Sequence, residues 1–252
     1  MSIIPVGQSL SIVVPAYNEG KRLADTCRKI SNYFTEHGAS FEVIIVDDGS
    51  TDNTSQVAKE LSTKYDGVKF LVNKENRGKG YSVRRGILET KGDYVLFTDA
   101  DLSTPIEEAA KLLKYLQEGC DVAIGSRALP GSDVRIHQPF YREYSGRIFN
   151  LLMKAVTSLK INDTQCGFKC FGKKAAKDIF SRQALDGFSF DVEDLYIAKK
   201  LGYKVKEVPV VWLNSESTTV SFIKHSIQMF IDLLRIRMND CRGRYSQDGK
   251  EG

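Results

Sequence analysis

Two acidic residues follow a largely apolar segment near the middle of the chain. Residues 94–98 predict a buried strand, and Asp99 and Asp101 come directly after it. Because side chains alternate sides in an extended backbone, the two carboxylates point the same way. Carboxylate oxygens are preferred ligands of Mg²⁺ and Mn²⁺, which commonly bridge protein acids to a diphosphate. The spacing therefore indicates a divalent metal site, although Asp-x-Asp also occurs in loops and helix caps.

Polar clusters also follow other predicted strands. They are Tyr17, Asn18 and Glu19 after the first strand, Asp47 and Asp48 after the second, residues 73–79 after the third, and Ser126 and Arg127 after the fifth. In open α/β sheets, ligands bind outside the carboxyl ends of the strands. The pattern therefore predicts one binding site at this edge of the sheet. Taken singly, each cluster also fits an ordinary turn or helix cap.

Residues 76–80 (NRGKG) combine two cations with two glycines. They fit either a flexible loop or a cationic loop whose glycines let the backbone approach a phosphate. The Gly-x4-Gly-Lys-Ser/Thr pattern of a P-loop is absent from this segment. The loop therefore suits an anionic ligand without being a P-loop.

An alternation of strands and helices positions these clusters. Strands are predicted at residues 10–15, 41–46, 68–72, 94–98 and 121–125, with helices at 23–34, 53–64, 79–90 and 105–118. The second half is less regular, with a polar loop at 128–139, helices at 140–159, 191–201 and about 220–238, and strands at 168–171 and 205–213. The β-α repetition predicts an α/β domain with a mostly parallel central sheet flanked by helices.

Composition limits the classes of protein. The 252 residues are 42% hydrophobic and 27% charged, as in a globular protein with a full core. The net charge of +4 suits anionic ligands or an acidic membrane face and does not call for nucleic acid. The five cysteines lack Cys-x2-Cys spacing, which favours reduced thiols over a zinc site. No apolar stretch reaches about 18 residues, which predicts that no segment spans a bilayer.

Five motifs occur in a characteristic order. They are residues 13–19 (VVPAYNE), 46–52 (VDDGSTD), 76–80 (NRGKG), 98–101 (TDAD) and 125–127 (GSR). This set resembles the inverting family 2 glycosyltransferases over roughly residues 9 to 237, which implies a single nucleotide-sugar-binding domain of the GT-A type. Four later motifs look like the dolichyl-phosphate, or polyprenyl-phosphate, β-glucosyltransferase branch. They are residues 138–143 (QPFYRE), 163–169 (DTQCGFK), 190–193 (FDVE) and 232–237 (DLLRIR).

The resemblance implies transfer of a hexose from a nucleotide sugar to the phosphate of a polyprenyl or dolichyl lipid, with inversion. UDP-glucose is the expected donor because the later motifs look most like the glucosyl branch, and GDP-mannose is the nearest alternative. A second alternative keeps the fold but uses a hydroxyl acceptor on a glycan or soluble molecule. A third is a nucleotide-sugar sensor or non-catalytic partner subunit. Nucleic acid is not an expected partner.

The resemblance also implies roles on the donor side. The expected donor-binding residues are Pro15, Tyr17, Glu19, Asp48, Arg77, Lys79 and Asp99. The first four would line the base and ribose pocket. A Mg²⁺ or Mn²⁺ ion on Asp99 and Asp101 would supply positive charge to the diphosphate and stabilise the leaving group as a Lewis acid.

The acceptor side should differ from that of enzymes with hydroxyl acceptors. A hydroxyl needs a general base, whereas a phosphate monoester is already an anion and needs cations to hold it. Arginine forks suit phosphate oxygens. The expected acceptor-phosphate residues are Arg127, Arg142, Ser145 and Arg147, with solvated surface residues as the alternative for some of them.

Acids also open the predicted helix at residues 191–201. The first turn of a helix favours acidic residues in any protein. The functional alternative places Glu193, or Asp191, near the sugar hydroxyls or in the role of a base. The expected catalytic residues are therefore Asp99, Asp101, Arg127 and Glu193.

The last predicted helix is amphipathic, with apolar residues mostly three or four positions apart and basic residues beside them. It fits either packing on its own domain or lying on an anionic bilayer. We expect a cytoplasmic protein that is peripheral on the cytoplasmic face of a membrane, held directly or by a small membrane partner protein. The expected organisation is a catalytic domain at 1–218 (donor half about 1–127, acceptor half about 128–218), the amphipathic helix at 219–238, and a mobile tail at 239–252.

Overall fold

The computed structural model describes residues 3–134, 153–213 and 222–246, with the backbone alone for residues 222–227. Residues 135–139 of the predicted polar loop at 128–139 and residues 140–152 of the predicted helix at 140–159 therefore lie outside the described residues. Residues 153–157 of that helix are described and helical as predicted, whereas Ser158 and Leu159 are described and not helical, so the helix ends two residues earlier than predicted.

Strands and helices alternate along the described chain. The strands are β1 (Ser9–Ala16), β2 (Ser40–Asp47), β3 (Val68–Val72), β4 (Tyr94–Thr98), β5 (Val122–Ser126), β6 (Asp133–Val134), β7 (Phe168–Gly172), β8 (Val205–Pro209) and β9 (Val211–Trp212). The helices are α1 (Leu23–Glu36), α2 (Thr54–Lys64), α3 (Lys79–Leu88), α4 (Ala109–Gln117), α5 (Lys173–Phe180), α6 (Phe190–Lys200) and α7 (Phe222–Cys241). A short 3-10 helix (Ile106–Glu108) leads into α4.

The central sheet has seven strands in the order β3-β2-β1-β4-β7-β5-β8. All its neighbouring pairs are parallel except those of β7, which runs antiparallel between β4 and β5. The predicted α/β domain with a mostly parallel sheet flanked by helices is confirmed. The carboxyl ends of β1, β2, β4 and β5 consequently meet at one edge, where the polar clusters of the sequence lie.

Helices cover both faces of this sheet. Along β1, Ile12 and Val14 belong to one buried cluster, which includes apolar residues of α1, α2 and α4. Val13 points the other way, into a cluster with residues of α3, α5, α6 and α7. This period of two on an almost continuously buried strand is typical of a parallel sheet between two helical layers.

The single strand predicted at residues 205–213 is divided between two sheets. β8 ends at Pro209 and pairs with β5, whereas β9 pairs with β6 in a separate two-stranded sheet. Proline has no N–H to continue the ladder, which explains why the first strand stops there. This small second sheet brings Trp212 next to the end of β5.

Two other elements differ from the sequence expectation. Helix α5 is absent from the predicted elements because its eight residues are too few for helical periodicity to stand out. Helix α7 ends at Cys241, and Tyr245 beyond it is fully buried. Residues 239–241 are thus helical and Tyr245 is packed, although residues 241–244 are exposed; the predicted mobile tail from 239 onward stays a prediction, and residues 247–252 lie outside the described part. Among the described helices, none is both long and apolar enough to cross a membrane.

Helix α3 packs closely on the sheet at Gly86. A Cβ added there would lie 2.5 Å from Cγ1 of Val13 and 2.9 Å from Cγ2 of Val46. We predict that Gly86→Ala lowers the free energy of unfolding by about 1–2 kcal/mol, because overpacking outweighs the gain in helix propensity. Urea unfolding measures the change.

Gly172→Ala is the matched control for this prediction. Its added Cβ would meet only the carbonyl oxygen of Asp121, at 3.7 Å, and its φ of −68° suits any residue. We expect it to leave stability unchanged or to raise it slightly. Equal stability of the two variants would contradict the close packing of α3.

Candidate functional site

Asp99 and Asp101 lie just beyond the carboxyl end of β4. The N–H of Asp99 donates to the carbonyl of Gly167 at 3.2 Å. A Cβ on Gly167 would overlap the carboxylate of Asp99, so a larger residue there would displace that carboxylate. One oxygen of Asp101 accepts from the N–H of Ser103 at 2.9 Å. The two acids are thus held on a turn that the backbone anchors.

Lys79, the first residue of α3, pairs with Asp99. Its Nζ lies 2.6 Å from Oδ1 of Asp99 and 5.3 Å from the centre of the Phe97 ring. Burial lowers the pKa of Lys79, but the charges of Asp99 and Asp191 outweigh burial and raise the pKa overall. Lys79 therefore remains a cation at the edge of the sheet.

The loop after β1 is tied to the loop after β2. The side-chain oxygen of Asn18 accepts from the N–H of Thr51 at 2.9 Å. The N–H of Glu19 donates to the hydroxyl of Thr54 at 2.8 Å. These bonds fix the backbone from which the Glu19 side chain projects toward the site.

Glu19 is close enough to Asp99 and Asp101 to feel their charge. Burial raises the pKa of Glu19, Arg22 at 2.7 Å opposes burial, and the charges of Asp101 and Asp99 add to the rise. Coulomb interactions weaken with distance, so the three acids share one end of the sheet. No group of three or more acidic, histidine or cysteine side chains among the described residues could hold a metal ion by itself, so a cation at Asp99 and Asp101 would need further oxygens from its ligand.

Asp48 braces the glycine-containing loop. One carboxylate oxygen accepts from the side chain of Asn73 at 2.7 Å and the N–H of Arg77 at 3.0 Å. The other accepts from the N–H of Gly78 at 2.8 Å, and the residue is almost fully buried. Asp48 thus shapes the Arg77–Gly78 turn, whereas the sequence placed it in the base and ribose pocket.

Arg77 remains accessible beside this turn. Its Nη2 lies 3.4 Å from an oxygen of Asp186, its guanidinium stacks 4.4 Å from the centre of the Tyr81 ring, and 45% of its side chain is exposed. A Cβ on Gly78 would lie 2.5 Å from the carbonyl oxygen of Asp186, and the φ of Gly78 is +103°. The turn therefore requires glycine at this position.

Arg127 is held at the end of β5 by Asp163. Nε and Nη2 of Arg127 donate to the two oxygens of Asp163 at 2.7 and 2.8 Å, and the Arg127 N–H donates at 2.9 Å. The guanidinium lies 5.3 Å from the Trp212 ring. The bidentate pair fixes the fork, while Nη1 is not part of it. The charge of Asp99 contributes to the raised pKa of Arg127, which places Arg127 in electrostatic range of the site.

A second buried ion pair joins Lys169 of β7 to Asp191 of α6. Lys169 is fully buried, and its ammonium lies 5.8 Å from the Phe97 ring. Burial raises the pKa of Asp191, and the charges of Lys169 and Lys79 oppose that rise. Asp191 therefore belongs to the same network of charges as Lys79.

Glu193 does not face the site as a free base. One oxygen accepts from the N–H groups of Ala184 at 3.0 Å and Leu185 at 2.7 Å. The other accepts from the hydroxyl of Tyr245 at 2.5 Å, and Glu193 is fully buried. Both oxygens are already bonded inside the fold, and the predicted catalytic role of Glu193 stays a prediction.

The other predicted residues are placed as follows. Pro15 is buried in β1, and Tyr17 after it is 46% exposed. Arg142, Ser145 and Arg147 lie outside the described residues. Their predicted contact with an acceptor phosphate stays a prediction.

Three residues of the charge network have no role in the sequence prediction. Asp163 and Lys169 both lie in the quoted 163–169 motif, and a lysine between apolar residues of a short strand is a usable signal of a buried ion pair. Asp186 gives no such signal, because its partners Arg77 and Arg84 lie about a hundred residues away.

Comparisons with known proteins agree with this architecture. Residues 11–180 match the family model described as glycosyl transferase family 2. The dolichyl-phosphate beta-glucosyltransferase of Mus musculus is 37% identical over 249 residues, with 94% of this chain and 77% of that protein covered. The Saccharomyces cerevisiae protein of the same name is 35% identical over 259 residues, with 96% and 78% covered.

Solved structures resemble the chain in fold. Glucosyl-3-phosphoglycerate synthase from Mycobacterium tuberculosis, in complex with Mn²⁺, UDP and phosphoglyceric acid, superposes with a TM-score of 0.69. It is 18% identical, and the match covers 95% of this chain and 79% of that one. The family model and the two relatives carry the assignment of the family, and the expected resemblance is confirmed: the chain belongs to glycosyl transferase family 2.

Proposed function

We propose that the protein transfers glucose from UDP-glucose to the phosphate of dolichyl or another polyprenyl phosphate, with inversion. The observation that best supports a donor site is the gathering of Asp99, Asp101 and Glu19 around the carboxyl end of the sheet, with Lys79 paired to Asp99. The names of the mouse and yeast relatives support glucose as the sugar and dolichyl phosphate as the acceptor.

The acids at the end of β4 fit a divalent cation. Asp99 and Asp101 offer carboxylate oxygens, and their charges add to the burial that raises the pKa of Glu19. Oxygen donors of this type suit Mg²⁺ or Mn²⁺. When bound, the ion supplies Lewis-acid stabilisation of the departing diphosphate.

The chain's own residues hold the rest of the donor. The exposed ring of Tyr17 is available to cover a base face, and Pro15 lies two residues earlier, in β1. Asp48 acts indirectly, by holding the Arg77–Gly78 turn. Lys79 and Arg77 are cations on the diphosphate side, where they offset the negative charge that builds as the nucleotide leaves.

The transfer itself requires no general base. A phosphate oxygen of the lipid forms the new bond to the anomeric carbon while the bond from that carbon to UDP breaks, and its electron pair leaves with UDP. Attack on the face opposite the leaving group inverts the α-linked sugar to a β-linked product. No proton has to move, because the acceptor is already an anion.

Two acids of α6, Asp191 and Glu193, favour this acceptor over a hydroxyl. A hydroxyl acceptor needs a carboxylate free to accept its proton. Glu193 is bonded on both oxygens, and Asp191 is paired with Lys169. Arg127, fixed by Asp163 near Asp99, instead offers positive charge for an acceptor phosphate, and Arg142, Ser145 and Arg147 are proposed to complete that side.

The outer face of α7 supports attachment to a membrane surface. Phe230, Ile231, Leu234 and Met238 lie within one side of the helix and are 40–52% exposed, while Leu233 on the other side is fully buried. Arg235 flanks the exposed side. We propose that this face lies on the cytoplasmic leaflet that holds the acceptor lipid, with a small membrane partner protein as the alternative.

A transfer assay tests the proposed function. Purified protein with Mn²⁺ or Mg²⁺ meets labelled UDP-glucose or GDP-mannose together with a short polyprenyl phosphate in detergent. We predict metal-dependent label in the lipid from UDP-glucose, with a β-linkage by NMR. Transfer from GDP-mannose alone would overturn the choice of donor. Donor hydrolysis without lipid product would point to a hydroxyl acceptor, and no reaction by folded protein would favour a non-catalytic subunit.

The metal role of Asp101 gives a second prediction. Asp101→Asn should lower turnover about 100-fold or more, because it removes charge stabilisation of the leaving group. Its melting temperature should stay close to that of the wild type, since Asp101 is not part of the core. Asp25→Asn on the exposed side of α1 is the matched control and should keep full activity. Full activity of Asp101→Asn would contradict the metal role.

Vesicle binding tests the exposed side of α7. We predict that the protein sediments with phosphatidylcholine vesicles containing phosphatidylserine, more weakly at high salt, and that Phe230→Ser with Leu234→Ser reduces this binding. Leu88→Ser is the control, because Leu88 is equally exposed but lies on α3. Wild-type protein that ignores these vesicles at low salt would exclude direct attachment and leave the partner protein.

A further inference from the structure

The chain turns back into the core after α7. Helix α7 ends at Cys241, and the ring of Tyr245 is fully buried. Its hydroxyl donates to an oxygen of Glu193 at 2.5 Å and accepts from the side-chain amide of Asn239 at 3.2 Å. A tyrosine near the end of the described chain thus reaches an acid in the centre of the fold, 52 residues away in sequence.

Glu193 also contacts the loop at residues 183–188, which we call the clamp loop. The second carboxylate oxygen of Glu193 accepts from the N–H groups of Ala184 and Leu185. Glu193 therefore bridges two backbone amides of the clamp loop to the hydroxyl of Tyr245. Removing that hydroxyl would leave a buried carboxylate oxygen without its donor, which is costly enough to favour rearrangement.

The clamp loop in turn holds the start of α3. The carbonyl of Asp186 accepts from the N–H of Tyr81 at 3.1 Å, and the side chain of Gln183 donates to the carbonyl of Gly80 at 3.0 Å. The carboxylate of Asp186 pairs with Arg77 and Arg84. Both sides of the turn that carries Lys79 are therefore bonded to the clamp loop.

The backbone of the clamp loop lies in direct contact with the backbone at the start of α3. A Cβ on Gly78 would lie 2.5 Å from the carbonyl oxygen of Asp186, and one on Gly80 would lie 2.6 Å from the carbonyl oxygen of Leu185. The two backbones touch directly, so a shift of the clamp loop must move the turn from residue 77 to 81. On the other side, Asp48 holds the same turn through the N–H groups of Arg77 and Gly78.

We propose that Tyr245 and Glu193 are positioning residues of the donor site: they hold the clamp loop, and through it Arg77 and Lys79, in the arrangement that receives the diphosphate. The inference rests on the proposed function in assigning Lys79 and Arg77 to the donor. The segment after α7 thereby supports the donor site, because continuous hydrogen bonds connect Tyr245 through Glu193 and the clamp loop to the turn that carries Lys79.

Tyr245→Phe tests the inference, with Tyr203→Phe as the matched control. The hydroxyl of Tyr203 also donates to a carboxylate, that of Asp178, but this pair contacts Lys174 and not the clamp loop. We measure backbone hydrogen exchange without ligand, binding of UDP with Mn²⁺ by calorimetry, and kcat and KM for UDP-glucose.

For Tyr245→Phe we expect faster exchange in residues 183–188 and 77–81, with strands β1 and β4 as protected as in the wild type. UDP should bind about 2- to 30-fold more weakly, and KM for the donor should rise more than kcat falls. Tyr203→Phe should change none of these. Unchanged exchange at residues 77–81, or a change spread evenly over the sheet, would overturn the inference, and so would wild-type UDP affinity in a variant whose clamp loop has loosened.

Glu193→Gln serves if Tyr245→Phe does not fold. The glutamine oxygen can still accept from Ala184 and Leu185, so this conservative change should give a milder effect in the same two segments. An effect confined to global stability would again overturn the inference. If wild-type protein binds no UDP, the proposed function fails, and the exchange at residues 77–81 alone decides whether Tyr245 and Glu193 position that turn.

Discussion

The ion pair between Lys79 and Asp99 joins the two sides of the candidate site. Lys79 begins α3 after the glycine-containing loop, and Asp99 follows β4, so their 2.6 Å contact ties two crossover segments together. It also limits the charge at this edge, where Glu19, Asp99 and Asp101 would otherwise repel one another. In the proposed reaction, the negative charge of the diphosphate is offset by Lys79. The positive charge of its cation is offset by the carboxylates.

Two other ion pairs in the site also match a positive charge with a negative one. Asp191 is matched by Lys169, and Arg127 is matched by Asp163. Both pairs are largely buried, where an unpaired charge would be strongly destabilising. Each pair therefore fixes one side chain at the edge of the sheet and removes one acid from the set that could act as a base. A phosphate acceptor, which needs cations and no base, agrees with that arrangement.

The sheet and its functional edge could be predicted because both are local in sequence. The apolar runs of β1, β2, β4 and β5 have the burial pattern of parallel strands, and Asp99 and Asp101 follow β4 directly. The antiparallel position of β7 between β4 and β5 was not predictable, since five residues carry no signal for their neighbours or direction.

The partners of individual acids could not be predicted for a related reason. Asp48 accepts from the N–H of Arg77, which is 29 residues away in sequence. Glu193 accepts from the hydroxyl of Tyr245, which is 52 residues away. The sequence alone does not distinguish a carboxylate that faces a ligand from one that accepts hydrogen bonds from buried donors. The sequence therefore predicted acids at this edge of the sheet, but it gave no sign that the carboxylates of Asp48 and Glu193 accept hydrogen bonds inside the fold.

The central claim is that the acids at the end of β4 hold the cation of a nucleotide donor. The most direct measurement is a crystal structure with Mn²⁺ and UDP, with the metal located by its anomalous scattering. We predict one manganese peak in coordination contact with Asp101 or Asp99 and with the diphosphate, and Lys79 beside the phosphates. Ordered UDP with no manganese near these acids, or manganese bound at another edge of the sheet, would contradict it.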